Sequence, residues 1–134
     1  MADFRKLEVF DKAHALALTV IRASAEMRGP IAQLIKTQMV RAALSVPTNV
    51  VEGSAKDSDR DYARYVSISI GSSSELEYHL LVARDSGLMS EMTFQSLLDQ
   101  LIDVRKMLTG LRRRLKASAD AAGSKAGSRS AGSR

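Results

Sequence analysis

Apolar residues recur along most of this chain at three- and four-residue steps, the period of helices with one buried face. In the first such segment Leu7, Phe10, His14, Leu18, Ile21 and Ala25 fall on one helical face, and Gly29-Pro30 stops it. A second runs from about Ile31 through Leu34, Ile35, Met39, Ala42, Val46 and Val50 to Gly53. Pro47 lies inside this pattern, where it lacks a backbone donor and crowds the preceding turn, so a kink or a break is expected between Ala43 and Pro47. The third opens at Asp57, Ser58 and Asp59, with Ser58 and Asp61 at capping-box spacing. Its face is Tyr62, Tyr65, Val66, Ser69, Ser73, Leu76, Leu80 and Ala83, ending at Gly87. Serines and Gly71 crowd its middle. Small side chains there let two backbones approach closely, but Ser and Gly are weak helix formers, and a loop over Gly71 to Ser74 is the alternative. In the fourth segment Ser90 is placed to cap a helix in which Phe94, Leu97, Leu101, Val104, Leu108, Leu111 and Leu115 alternate steps of three and four, the seam of knobs-into-holes packing.

Four amphipathic helices joined by short loops predict an all-α fold, an antiparallel up-down-up-down four-helix bundle. At 134 residues the chain has room for one core. Residues 1–117 are expected to form the bundle. Residues 118–134, nearly all Ala, Ser, Gly and basic side chains, are expected to be a flexible basic tail, because nothing after Leu115 repays the cost of ordering the backbone.

Composition narrows the function. There is no cysteine, which excludes a disulfide scaffold, thiolate catalysis and Cys-ligated metal sites. No apolar run approaches the length of a membrane span. The alternation of charge and apolar residues from Met1 to Phe10 is unlike a secretory signal, so a cytoplasmic location is expected. The net charge is +5, part of it from Lys125, Arg129 and Arg134 in the tail, and this is a mild bias for a nucleic-acid binder.

A plain bundle needs only its apolar stripes, so the polar residues beside them invite explanation: His14, Arg41, Asn49, Glu52, Glu75 and His79. Buried polar groups must be paired or hydrogen-bonded. With the second and third helices antiparallel, Arg41 comes near Glu75, and a pair between them is expected. Di-metal bundle sites use Glu-x-x-His, whereas this chain has a single Glu75-x-x-x-His79 and two histidines in all. No nucleophile elbow, phosphate-cradling loop or dinucleotide fingerprint is present. The expectation is a non-enzymatic chain with no catalytic residue, metal or cofactor. Arg105, Lys106, Arg112, Arg113, Arg114 and Lys116 crowd the end of the fourth helix, either as a solvated basic face or as a phosphate-facing patch, and Tyr62 and Tyr65 either stack on bases or pack at a boundary.

The segments Asp3 to Phe10 with Ala13, Gln38 to Gly53, and Gly71 to Leu76 carry a family likeness. Across Phe4 to Leu115 the chain resembles the bacterial four-helix bundle proteins encoded in intervening sequences of 23S ribosomal RNA genes, also labelled ribosomal protein S23. Asn49-Val50-Val51-Glu52-Gly53 is the most specific stretch. The resemblance implies a cyclic homo-oligomer, a pentamer, with Arg41, Asn49, Glu52, Gly71 and Glu75 as determinants of fold and assembly, and with the Glu52 and Glu75 region near the bundle interior or a subunit contact. The chain is also similar to accessory proteins of diversity-generating retroelements, which implies nucleic acid or a reverse transcriptase as a partner. Its charge is more modest than such accessories carry.

Overall fold

The computed structural model describes residues 3–132, and their side chains as far as residue 124. A 3-10 turn at Phe4–Lys6 leads into four helices: α1 (Glu8–Ser24), α2 (Pro30–Ser54), α3 (Asp59–Asp85) and α4 (Glu91–Gly132). Strands are absent among the described residues. Each helix packs on two others, α1 and α3 both touching α2 and α4, so the four surround one core. Cross-helix contacts show that α2 and α3, and α3 and α4, run antiparallel. As α2 rises from Ser45 to Gly53 its α3 partners fall from Ser72 to Tyr62, and as α3 falls from Ser73 to Asp59 its α4 partners rise from Arg105 to Ser118.

The helix boundaries follow local chemistry. Gly29, at φ 109°, precedes α2 in a conformation that side chains disfavour, and Pro30 takes the first helical position, where its missing N–H costs nothing. Ser58 Oγ accepts from Asp61 N at 3.1 Å, and Ser90 Oγ accepts from Thr93 N at 3.1 Å, capping α3 and α4. Gly87, at φ 77°, turns the chain after α3.

The core follows the expected stripe on α4, where Phe94, Leu97, Leu101, Val104, Leu108 and Leu115 are buried and Leu111 packs against them. On α3 it follows Val66, Ser69, Ser73, Leu76, Leu80 and Ala83. The helix passes through Gly71 to Ser74 without a loop, because Ser69, Ser72 and Ser73 are buried where α3 meets its neighbours. The α2 helix continues through Pro47 without a break, and the proline itself is buried, so neighbouring helices hold the turn that its missing N–H weakens.

The α1 face differs from the one its spacing predicts. Val9, Ala13, Leu16, Ala17, Val20 and Ser24 point inward, while Leu18 and Ile21 are exposed. Both faces of α1 carry a three-four repeat, and the core takes the one with fully buried alanines, which lets the helices approach closely. On α2, Ile31 and Leu34 are likewise exposed, at 62% and 67%, and Ala32 occupies the core instead. Past the bundle, α4 continues as helix over residues expected as a tail, with no helical break at residue 118. The side chains of Lys125, Arg129 and Arg134 lie outside the described residues.

Candidate functional site

The residues of the specific sequence stretch gather along the seam between α2 and α3. Ser45 Oγ and Ser72 Oγ share a hydrogen bond at 2.7 Å, and Asn49 Nδ2 donates to Ser45 O at 2.8 Å and to Ser45 Oγ at 3.0 Å. Deeper in the same seam Ser69 Oγ donates to Val46 O at 2.8 Å, at the carbonyl just before Pro47. At the far end Gly53 lies under the tyrosines of α3: a Cβ there would sit 2.8 Å from Tyr62 Cδ1 and 2.9 Å from Tyr65 Cβ. Asn49 and Gly53 thus have packing reasons to be Asn and Gly. Asn49 ties the small-residue crossing together, and Gly53 lets α2 touch the tyrosine-bearing start of α3.

The charged members of the stretch lie elsewhere. Arg41, Glu52 and Glu75 are exposed, so of the two places expected for the Glu52 and Glu75 region, the bundle interior or a subunit contact, the structure excludes the interior. Charged heads remain in water because the seam is already closed by hydroxyls and an amide, and burying them would cost several kcal/mol. The expected pair between Arg41 and Glu75 does not form. Glu75 Oε1 lies 3.4 Å from His79 Nε2, one turn along α3. Gly71 is also exposed, with open space where a side chain would stand.

A second three-four repeat runs along each of these helices, mixing exposed and partly buried positions, with Ser72 buried. On α2, Leu34, Gln38, Arg41, Ser45, Thr48 and Glu52 step by four and three. On α3, Tyr65, Ile68, Ser72, Glu75, His79 and Val82 do the same. The two stripes meet at the Ser45–Ser72 bond, along the α2–α3 seam. Leu34 and Ile68 stand exposed on these stripes with Arg41, Glu52 and Glu75, and small side chains lie where the stripes meet. Sequence reasoning found the polar members of this surface and missed that their spacing forms an outward stripe.

The six basic residues of α4 do not share one face. Arg105 turns inward, donating to Ser73 Oγ and Ser73 O and pairing with Glu77 Oε1 at 2.7 Å. Lys106 and Arg114 line a small depression beside Leu7, Glu8 and Val9 at the start of α1. Arg113 is exposed. Arg112 and Lys116 face α3, where Arg112 Nη1 donates to Ser67 Oγ at 3.4 Å and Lys116 lines a groove shared with Arg60 and Arg64. The α3 arginines extend the basic surface across a second helix, and no α4 pattern announces them.

Neither tyrosine is a free stacking platform. Tyr62 packs over Gly53 with a buried hydroxyl that has no partner, and burial pushes its pKa above the usual 10.0. The Tyr65 ring carries Lys56 Nζ at 5.0 Å and the Arg64 guanidinium at 4.8 Å from its centre. His14 stacks on Phe10, ring centres 5.7 Å apart, on the exposed side of α1. Among the described residues no three His, Asp or Glu side chains gather closely enough to hold a metal ion, and Glu52 does not join Glu75 and His79. No described helix is long and apolar enough to cross a membrane.

Comparison with known proteins places this geometry. A search of curated proteins finds no match. Among solved structures, the chain is similar to a protein of unknown function from the S23 ribosomal protein family of Bacteroides thetaiotaomicron, with 17% identity, a TM-score of 0.71, and coverage of 78% of this chain and 97% of that one. At that identity the likeness speaks to the fold. The profile of the 23S rRNA-intervening sequence protein family matches residues 5–110, a span that takes in the α2–α3 seam and most of the bundle. The chain belongs to the 23S rRNA-intervening sequence protein family.

Proposed function

We propose that this protein is a non-enzymatic structural or adaptor protein of the cytoplasm, and that it works by closing into a cyclic homo-oligomer of up-down-up-down bundles, a pentamer by family resemblance. The observation that carries this reading is the pair of stripes along the α2–α3 seam. They have the spacing that elsewhere in the chain marks a buried face, yet Leu34 and Ile68 stand exposed at 67% and 44%. Covering such side chains stabilises an interface by about 1.5–3 kcal/mol each when fully buried. The exposed charges of Arg41, Glu52 and Glu75 then set register and partner choice. Light scattering on the purified protein tests the proposal. It predicts a particle about five times the 14.6 kDa subunit, reduced toward one subunit by Ile68→Lys or Leu34→Lys with helix content unchanged. A single 14.6 kDa species across a wide concentration range would overturn it.

A second reading, a nucleic-acid-binding accessory ring that serves a reverse transcriptase or a structured RNA, has one observation in its favour. Arg112 and Lys116 of α4 and Arg60 and Arg64 of α3 converge on one seam, and a closed ring repeats that surface in every subunit. Titration of labelled RNA near 50 mM salt tests it, and absence of binding at micromolar protein rejects it.

A further inference from the structure

Resting on the second reading, we infer that the groove between the start of α3 and the far end of α4 is the nucleic-acid site, and that it takes the phosphate backbone of a single strand. The groove encloses about 780 Å³. Its cations come from both walls: Arg60 and Arg64 on α3, Lys116 on α4, with Arg112 at its inner end on Ser67. Arg60 and Arg64 are one turn apart, so the α3 wall presents two positive groups about 6 Å apart along its axis, opposite Lys116, while Arg112 one turn earlier on α4 is bonded to Ser67. The floor is Ala63, Ser67, Ala119 and Gly123. These small residues keep the groove open without offering an apolar socket for a peptide side chain.

Three features select the ligand. Most of the cations are arginines, whose forked N–H groups match phosphate oxygens, and Arg60 and Arg64 are exposed, Arg64 resting over the Tyr65 ring. The groove is small, about 780 Å³ and bounded by two helices, so it takes a short length of one backbone strand and not a duplex. The wall is also fixed in place, because Ser118 Oγ donates to Asp59 Oδ2 at 2.5 Å and pins α4 against the first turn of α3. Two carboxylates line the groove as well. Asp61 stands 3.7 Å from Arg64, which partly neutralises it, and Asp120 sits on the opposite wall. Asp120 opposes any phosphate that enters, and this gives the inference a signature of sign.

The test is titration of a fluorescent single-stranded RNA oligonucleotide at several salt concentrations, with helix content and particle mass recorded for each variant. For the triple variant Arg60→Gln, Arg64→Gln, Lys116→Gln, the slope of log affinity against log salt should fall by about 2, since each phosphate contact on a single strand contributes about 0.7. Asp120→Asn should tighten binding several-fold. Lys106→Gln and Arg113→Gln, outside the groove, should leave the slope in place. If the triple variant misfolds, Lys116→Gln and Asp120→Asn alone, moving affinity in opposite directions, decide the matter. Binding that survives the triple variant with an unchanged slope overturns the groove assignment and leaves the second reading standing. Failure of the unmodified protein to bind near 50 mM salt overturns both. A polyglutamate peptide of matched charge that binds as tightly as the RNA overturns the phosphate assignment.

Discussion

At Gly53 the α2 backbone lies so close to Tyr62 and Tyr65 that a methyl group has nowhere to go without displacing a ring or the helix. Gly53→Ala is therefore expected to lower stability by about 1–3 kcal/mol, although alanine is the better helix former. Urea unfolding measures this, and a variant as stable as the parent would show that the contact yields easily. Gly71 gives the opposite expectation. Open space surrounds it, so Gly71→Ala should stabilise the isolated subunit by up to about 1 kcal/mol, and weakened association in light scattering would place the residue at a subunit contact. Tyr62 makes a further prediction. Its hydroxyl is buried without a partner, so Tyr62→Phe should be neutral or stabilising by about 1 kcal/mol near neutral pH. Because burial raises the folded-state pKa, the unfolded chain ionises first. The stability tied to this group is fully present below pH 10.0 and is lost as pH rises through the higher folded value. Denaturation followed above pH 10.0 should show a shallower loss for Tyr62→Phe.

Elements were legible where local chemistry punctuates the chain. The serine caps, Gly29-Pro30 and Gly87 mark helix ends that the structure keeps, and the leucine seam of α4 reads directly as core. The α1 face was not legible, because two apolar stripes share that helix and only the neighbours decide which one is buried. The loop alternative at Gly71 to Ser74 fails for a related reason: propensity is local, whereas burial of Ser72 and Ser73 comes from other helices. The α3–α4 pair has its own polar lock in Arg105, Ser73 and Glu77. Arg105 and Glu77 are both partly exposed, so a double-mutant cycle with Arg105→Met and Glu77→Gln should give a coupling of about 0.5–1 kcal/mol. A coupling near zero would make the 2.7 Å contact a surface pairing of no consequence.

For the whole molecule, the bundle could be read from periodicity, and the polar seam residues could be singled out before their geometry was known. The candidate surfaces could not. The α2–α3 face depends on two stripes from different helices meeting at Ser45 and Ser72, and the basic groove joins Arg60 and Arg64 to residues about fifty positions later in the chain. The hydrogen bonds that join helices also have an uneven distribution. Side-chain bonds tie α2 to α3 and α3 to α4, whereas among the described residues none ties α1 to another helix, and its contacts are apolar. Apolar contacts lose strength on cooling in a way that hydrogen bonds do not. Chilling should accordingly release α1 first, and amide exchange compared at low and ambient temperature should show its protection falling relative to α3, which makes the first helix a cold-sensitive clasp on an otherwise polar-locked trio.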